Sequence, residues 1–279
     1  WDEDVAYSRY IDRVLDYAPA PGQFVNKLPE YAPGDDAEAM RLKAEECIRG
    51  RNDVMISLGG YGGSVVFAFD HTVVNVPGEY DFKIYGNAFY AAGSLAGGSA
   101  EPGIVMVSCD INGNGKADDP WYELAGSEYY SEATAHDMTI TYTRPADDGD
   151  VAWTLGNGDT GCVPKNEYHS QPYYPQWLDK DIMSFTGTLL APNAIDHSGN
   201  GTNYVLYAYA WGYVDNHPND AGDLSKFKID WAVDSQGKPV HLDGVDFIKV
   251  YTGVNQVCGW LGETSTEICR AEDLHIVQY

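Results

Sequence analysis

Read for polar and apolar alternation, the chain is mostly strand. Val54–Leu58 leads into a glycine turn at 59–63, and Ser64–Phe69 is a further apolar run. Tyr80–Tyr85, Ile104–Val107, Trp121–Leu124, Met138–Tyr142, Tyr204–Tyr209, Phe227–Val233 and Val245–Tyr251 follow, rich in the β-branched and aromatic residues that suit a pleated, half-buried surface. Only the first fifty residues carry helical spacing. One helix is predicted from Val5 to Leu15. A second is predicted from Ala37 to Ile48, with Asp35 or Asp36 as N-cap and Gly50 just past its end. Many short strands with turns between them and no βα alternation predict an all-β fold, a β-sandwich or jelly roll with a short helical N-terminal segment. The expected division is a helical collar over 1–50, packed on a jelly-roll domain over 51–279. Residues 144–203 are expected to form a long aromatic loop insertion within that domain, because their periodicity is poor.

The totals narrow the partners. The 279 residues include 17 Lys and Arg against 42 Asp and Glu, a net charge of −25. A field of that sign repels nucleic acid and anionic membrane and suits loops that bind cations. The 21 Tyr and 7 Trp supply flat faces for rings and sugars as well as core. No apolar run is long enough to span a bilayer. The start at Trp1 reads as a trimmed N-terminus, with any export signal or lipid anchor upstream of it. The five cysteines include no CxxC pair, and Cys258 with Cys269, flanking a Gly-rich loop, are the best candidates for a bridge. Cys109, at the end of an apolar strand, reads as a small core residue.

Between two strands lies Asp110-Ile111-Asn112-Gly113-Asn114-Gly115-Lys116-Ala117-Asp118-Asp119. Side-chain oxygens fall at 110, 112, 114 and 118, with Gly115 where the backbone must turn sharply. Ca²⁺ takes about six to eight oxygens, and a tight loop offering one at every second residue supplies them. The spacing is not that of an EF-hand, whose twelfth position would here be Trp121 rather than Glu. It is closer to a shorter DxDxDG-x-x-D loop tying two strands together. The candidate metal set is Asp110, Asn112, Asn114, Lys116 and Asp118, holding structural Ca²⁺, with Asp81, Asn87 and Asp246 as further ligands. The alternative is a polar hairpin turn without metal.

A second constellation is aromatic. Tyr168 and His169, Tyr173 and Tyr174, and Trp177 lie in the 144–203 segment; Trp211, Tyr213, Asn216 and His217 follow the Tyr204–Tyr209 strand. Phenol and indole rings give apolar area with a polar tip, which suits sugars and corrin rings. Trp260, with the run Glu263-Thr264-Ser265-Thr266-Glu267, makes either a rigid binding edge or a structural corner. Catalytic signatures are sparse. The seven histidines form no HxH or HExxH spacing, and there is no G-x-S-x-G elbow and no P-loop. Asp196, His197 and Ser198 are adjacent, whereas triad members converge in space rather than in sequence.

Several segments together resemble a bacterial surface-protein family: SLGGYGGSVVFAFD (57–70), GEYDFKIYGNAF (78–89), EPGIVMVSCDINGNGKADDPWYELAGSEY (101–129) and FKIDWAVDSQGKPVHLDGVDFIKVYTGVNQ (227–256). PAPGQFVNKLPEY (19–31), WGYVDNHPN (211–219) and CGWLGETSTE (258–267) extend the likeness over nearly the whole chain. The family it resembles is the "cell surface protein" lipoproteins of Bacteroidetes-type gut bacteria, with a galactose-binding-like jelly roll. Such proteins are encoded near outer-membrane corrinoid transporters, and one class captures vitamin B12. The resemblance implies an exported, lipid-anchored monomer at the outer-membrane surface. It would capture corrinoid without catalysis, beside a transporter. A surface glycan-binding module is the first alternative, and a carbohydrate-active enzyme on a jelly roll the second.

Overall fold

The computed structural model describes residues 6–91 and 97–276. Strand Phe247–Thr252 lies inside a six-stranded antiparallel sheet. The order across it is Arg13–Ala18, Ser64–Ala68, Phe247–Thr252, Gly103–Ser108, Trp121–Leu124 and Ala232–Val233. Register is set by apolar alternation. Val65 faces Val250, which faces Val105, and Phe67 faces Ile248, which faces Val107. A one-residue slip would turn all of these to the other face. This face buries against Phe82, Ile84, Phe227 and Ala271 of a three-stranded sheet formed by Lys226–Phe227, Phe82–Tyr85 and Arg270–Asp273. The Phe82 and Phe227 rings stack 5.5 Å apart between them. The chain is all-β, with one α-helix among the described residues.

The predicted helix at 37–48 forms as Ala37–Ile48. Asp36 caps it by accepting from the Ala39 N–H, and Met40, Ala44 and Ile48 seat it on the core. The other predicted helix does not form. Val5 and Trp1 lie outside the described residues, and Arg13–Ala18 is the edge strand of the large sheet. The cause is a register shift between Val14 and Asp16, which brings Val14 and Tyr17 to the same buried face three residues apart. That spacing imitates a helix in the sequence.

The 144–203 segment is likewise more regular than its sequence suggests. Ala135–Thr143 pairs with Val151–Leu155 and with Ile182–Leu189, and Thr160–Val163 completes a four-stranded sheet. Its outer face is knit by hydroxyls instead of apolar side chains: Thr139 to Thr186 and Thr141 to Ser184, each at 2.8 Å. Its inner face packs Ile140, Tyr142 and Val151 against Tyr61, Ile104 and Tyr251 at one end of the large sheet. All five cysteines are free, so the expected Cys258–Cys269 bridge is absent. The Cys258 thiol lies against Thr264 Oγ1, and that of Cys269 against the Gly86 carbonyl.

Candidate functional site

Three loop segments and a small sheet meet around one groove. Gln23 and Phe24 come from the irregular segment after the edge strand, Tyr168 and His169 from the turn beyond Thr160–Val163. Phe89 and Tyr204 lie on a small sheet, and residues 258–264 form a Gly-rich loop. Between them is a groove of about 490 Å³. Its walls are aromatic: Phe24, Phe89, Tyr168, His169, Tyr204 and Trp260. Three of those rings are turned to solvent, Phe89 at 59%, Tyr168 at 68% and Trp260 at 57% exposed. Asn166 holds two of the walls in relation. Its Nδ2 donates to the Trp260 carbonyl at 2.6 Å and its Oδ1 accepts from the Tyr168 N–H at 2.9 Å. His169 meets the Phe24 ring edge-on at 4.7 Å.

The inner end of the groove is polar and acidic, with Gln23, Glu101 and Glu263 in its lining. Glu263 Oε1 accepts from the Gln23 N–H at 2.7 Å. Behind Glu101 lie Asp215 and Glu267, both buried. Each of the three carboxyl groups offers an oxygen within 4.8 Å of the others. The backbone is shaped around Asp215. It has φ of +54°, a left-handed conformation that Asp tolerates better than most residues. Its Oδ1 accepts from the N–H groups of Asn87 and Ala88, both at 2.7 Å, and its Oδ2 accepts from that of Glu267 at 2.9 Å. A Cβ at Gly86 would overlap this carboxyl, so only glycine fits there. Ser57 and Ser265 hydroxyls donate to Glu267 Oε1 at 3.0 and 2.8 Å.

Burial dominates the electrostatics of this group. It pushes Glu263 and Glu267 up to about 8 and Asp215 up to about 7, and it holds Glu101 well above the usual carboxylate range. Neighbouring carboxyls add to the rise at Glu101 and Glu267, while the hydrogen bonds to Asp215 oppose it there.

Of the sequence-predicted ligand contacts, the groove brings together Tyr168, His169 and Trp260. The others lie elsewhere, most of them engaged in packing or backbone hydrogen bonds. Tyr173 and Tyr174 are buried; the Tyr173 hydroxyl accepts from the Asn166 N–H, and that of Tyr174 donates to the Lys180 carbonyl. Trp177 packs on the core beside Tyr17 and Tyr31. Trp211 lies 4.6 Å from the Trp231 ring, away from the groove. Tyr213 is buried and accepts from the Glu128 N–H. Asn216 clamps both backbone groups of Tyr209, and His217 is held between the Tyr90 hydroxyl and the Ala210 carbonyl. Hydroxyl, amide and imidazole tips that looked free to meet a ligand are satisfying buried main chain. Phe24, Phe89, Tyr204 and the acidic floor are groove-lining residues that the sequence pattern does not mark as contacts. The run 263–267, read as either an edge or a corner, lends Glu263 and Thr264 to the groove.

The 110–119 loop joins the neighbouring strands Gly103–Ser108 and Trp121–Leu124. Its polar side chains hydrogen-bond within the loop. Asp110 accepts from the N–H groups of Asn114 and Gly115, and Asn112 and Asn114 both turn their amides to Asp118. Those amides lower the Asp118 carboxyl below its usual range. The Lys116 ammonium carries no lone pair, so only its backbone carbonyl could serve as a ligand; its side chain lines a wide depression beside the loop. Asp246 does support the loop, accepting from the Asp110 N–H at 2.7 Å. Asp81 is instead engaged with His275, and Asn87 lies at Asp215. Asp196 accepts from the Ser198 hydroxyl, and His197 turns to Tyr207, so these three do not form a relay.

A scan against protein-family models finds no match to this chain, and a search of curated proteins finds none either.

The buried carboxyls make stability depend on pH with a definite sign. Their folded pKa values lie above the unfolded ones, so the folded state holds extra protons between about pH 4 and pH 8. In metal-free buffer with chelator, the melting temperature falls as pH rises through that window, by ~5 °C or more. Glu267→Gln, which mimics the protonated acid, flattens the fall. A melting temperature that climbs from pH 5 to pH 8 contradicts this assignment.

Proposed function

We propose that this protein is a non-catalytic ligand-binding module, and that its ligand lies in the groove between Phe24, Phe89, Tyr168, His169 and Trp260. The observation that carries this is the pairing of solvent-turned rings with a polar, carboxyl-lined inner end. Ligand sites commonly enclose ~300–1,000 Å³ with apolar walls and a few convergent polar groups, and the groove falls in that range. Flat faces flanking donors and acceptors suit an amphipathic ligand with a broad ring.

A corrinoid is the first candidate, on the resemblance to vitamin B12-capturing surface lipoproteins. It would lay one edge in the groove, with its ring against the aromatic walls and its amide fringe toward Gln23 and Glu263. The jelly-roll arrangement, export to the outer-membrane surface and work beside a transporter belong to the same proposal. A glycan is the second candidate. Its support is that Tyr168 and Trp260 are exposed rings flanking a polar floor, an arrangement on which sugar rings stack.

The 110–119 loop supports a structural Ca²⁺, with side-chain oxygens from Asp110, Asn112, Asn114 and Asp118 and the backbone carbonyl of Lys116. Those donors are hard oxygens, the chemistry Ca²⁺ takes. Bound there, the ion would brace the connection between two strands of the large sheet.

Calorimetric titration with cyanocobalamin tests the ligand. One-to-one binding is expected, weakened at least ~10-fold by Trp260→Ala or Tyr168→Ala, with the circular dichroism spectrum unchanged. Trp177→Ala should lower the melting temperature and leave affinity alone, since that ring is packing. Binding that survives loss of both groove rings would place the ligand elsewhere, and no heat at high ligand would pass the groove to glycans. For the loop, Asp118→Ala should remove one Ca²⁺ per chain in equilibrium dialysis. An unchanged stoichiometry rejects the loop site.

A further inference from the structure

The acidic end of the groove has a chemistry of its own. Glu101, Asp215, Glu263 and Glu267 come within one small region from three distant parts of the chain; Asp215, Glu263 and Glu267 are buried, and Glu101 is half-buried at the groove. Among the described residues, no Lys, Arg or His forms an ion pair with any of the four. Like charges gathered without a counter-charge in a low-dielectric site repel strongly.

We propose that Glu101, Asp215 and Glu267, with Glu263 beside them, bind a divalent cation, Ca²⁺, at the inner end of the groove. The geometry fits the ion. Ligand oxygens within 4.8 Å of one another can surround a centre at the ~2.3–2.6 Å that Ca²⁺ requires. The donor set is oxygen throughout, which selects a hard cation over zinc or copper.

A second observation points to a ligand independently of the cluster. Glu263 is only 5% exposed and its Oε2 has no hydrogen-bond partner, while Gln23 is 4% exposed and its Oε1 has none. Both side chains line the groove beside Glu101. A buried acceptor left without a partner is destabilising, and here two such acceptors belong to side chains that line the groove with Glu101. Their lone pairs require a donor or a cation. The Asn87 side-chain amide turns its nitrogen to Asp215 and donates to the two carboxyl oxygens at 3.1 and 3.2 Å. The site does not depend on what the groove takes, so a protein indifferent to cyanocobalamin would still bind the ion.

The test separates this ion from any in the 110–119 loop. Equilibrium dialysis with radioactive Ca²⁺ is run on Asp118→Ala protein, in which the loop is disabled. One Ca²⁺ per chain is expected to remain, and Ca²⁺ is expected to raise the melting temperature of that variant. Adding Glu267→Gln should abolish both the bound ion and the thermal shift. Asp215→Asn provides the same reading if the Glu267 variant fails to fold. Asp118→Ala protein that binds no Ca²⁺ at millimolar concentration overturns the proposal. So do folded Glu267→Gln or Asp215→Asn variants that keep the ion.

Discussion

The seat of the Asp215 carboxyl is the constraint on which the groove end of the molecule depends. Three backbone N–H groups, from Asn87, Ala88 and Glu267, converge on its two oxygens. Those bonds pin the end of the Phe82–Tyr85 strand segment, the start of Glu267–Ile268 and the loop after Tyr204–Tyr207 to a single point. The 215 backbone accepts a left-handed conformation to bring the carboxyl there, and Gly86 leaves it room. Segments far apart in sequence are joined through this one carboxyl. Removing the carboxyl would leave two buried donors, the N–H groups of Ala88 and Glu267, unpaired, a larger cost than the loss of the bonds alone.

The groove inherits its shape from that junction. Phe89 follows directly on the amides that hold Asp215. Glu101, whose carbonyl accepts from the Thr266 hydroxyl, places the cluster beside the groove wall. The loop carrying Trp260 is fixed at its base by Glu263, bonded to the Gln23 N–H, and across its tip by Asn166. The aromatic rim therefore rests on a buried polar frame. A main chain fixed in this way needs no ordering on meeting a ligand, which lowers the entropic cost of binding.

How much of this could be read from the residues depends on which force organised each part. Where apolar burial did, the pattern was plain: Val65, Phe67, Val105, Val107, Ile248 and Val250 alternate as strands should, and Asp36 announces its helix. Where polar contacts organised the chain, the pattern misled. The bulge at Val14–Asp16 gave a strand helical spacing, and Thr139, Thr141, Ser184 and Thr186 hid a sheet behind hydroxyls. The same holds at the site. Tyr168, His169 and Trp260 were legible as exposed loop aromatics, but Tyr173, Tyr213 and Asn216 carry the same residue types and serve buried main chain. Nothing local distinguishes the two sets, since the difference lies in which distant backbone reaches them. The buried carboxyls were hidden for a related reason. In a chain this acidic, Glu101 and Asp215 resemble surface charges until the fold sets them together.

The central claim is that ligand meets protein at the Trp260 groove and nowhere else on the surface. NMR of ¹⁵N-labelled indole N–H groups addresses it directly, because Trp177, the Trp211–Trp231 pair and Trp260 report from different places. Trp177 lies in the core against Tyr17, Trp211 and Trp231 pair at a distance from the groove, and Trp260 stands in its wall. On titration with cyanocobalamin, and then with a mixture of oligosaccharides, the Trp260 indole signal should shift with one of the two while those of Trp177, Trp211 and Trp231 stay in place. A shift confined to Trp211 and Trp231, with Trp260 unmoved, would contradict the account.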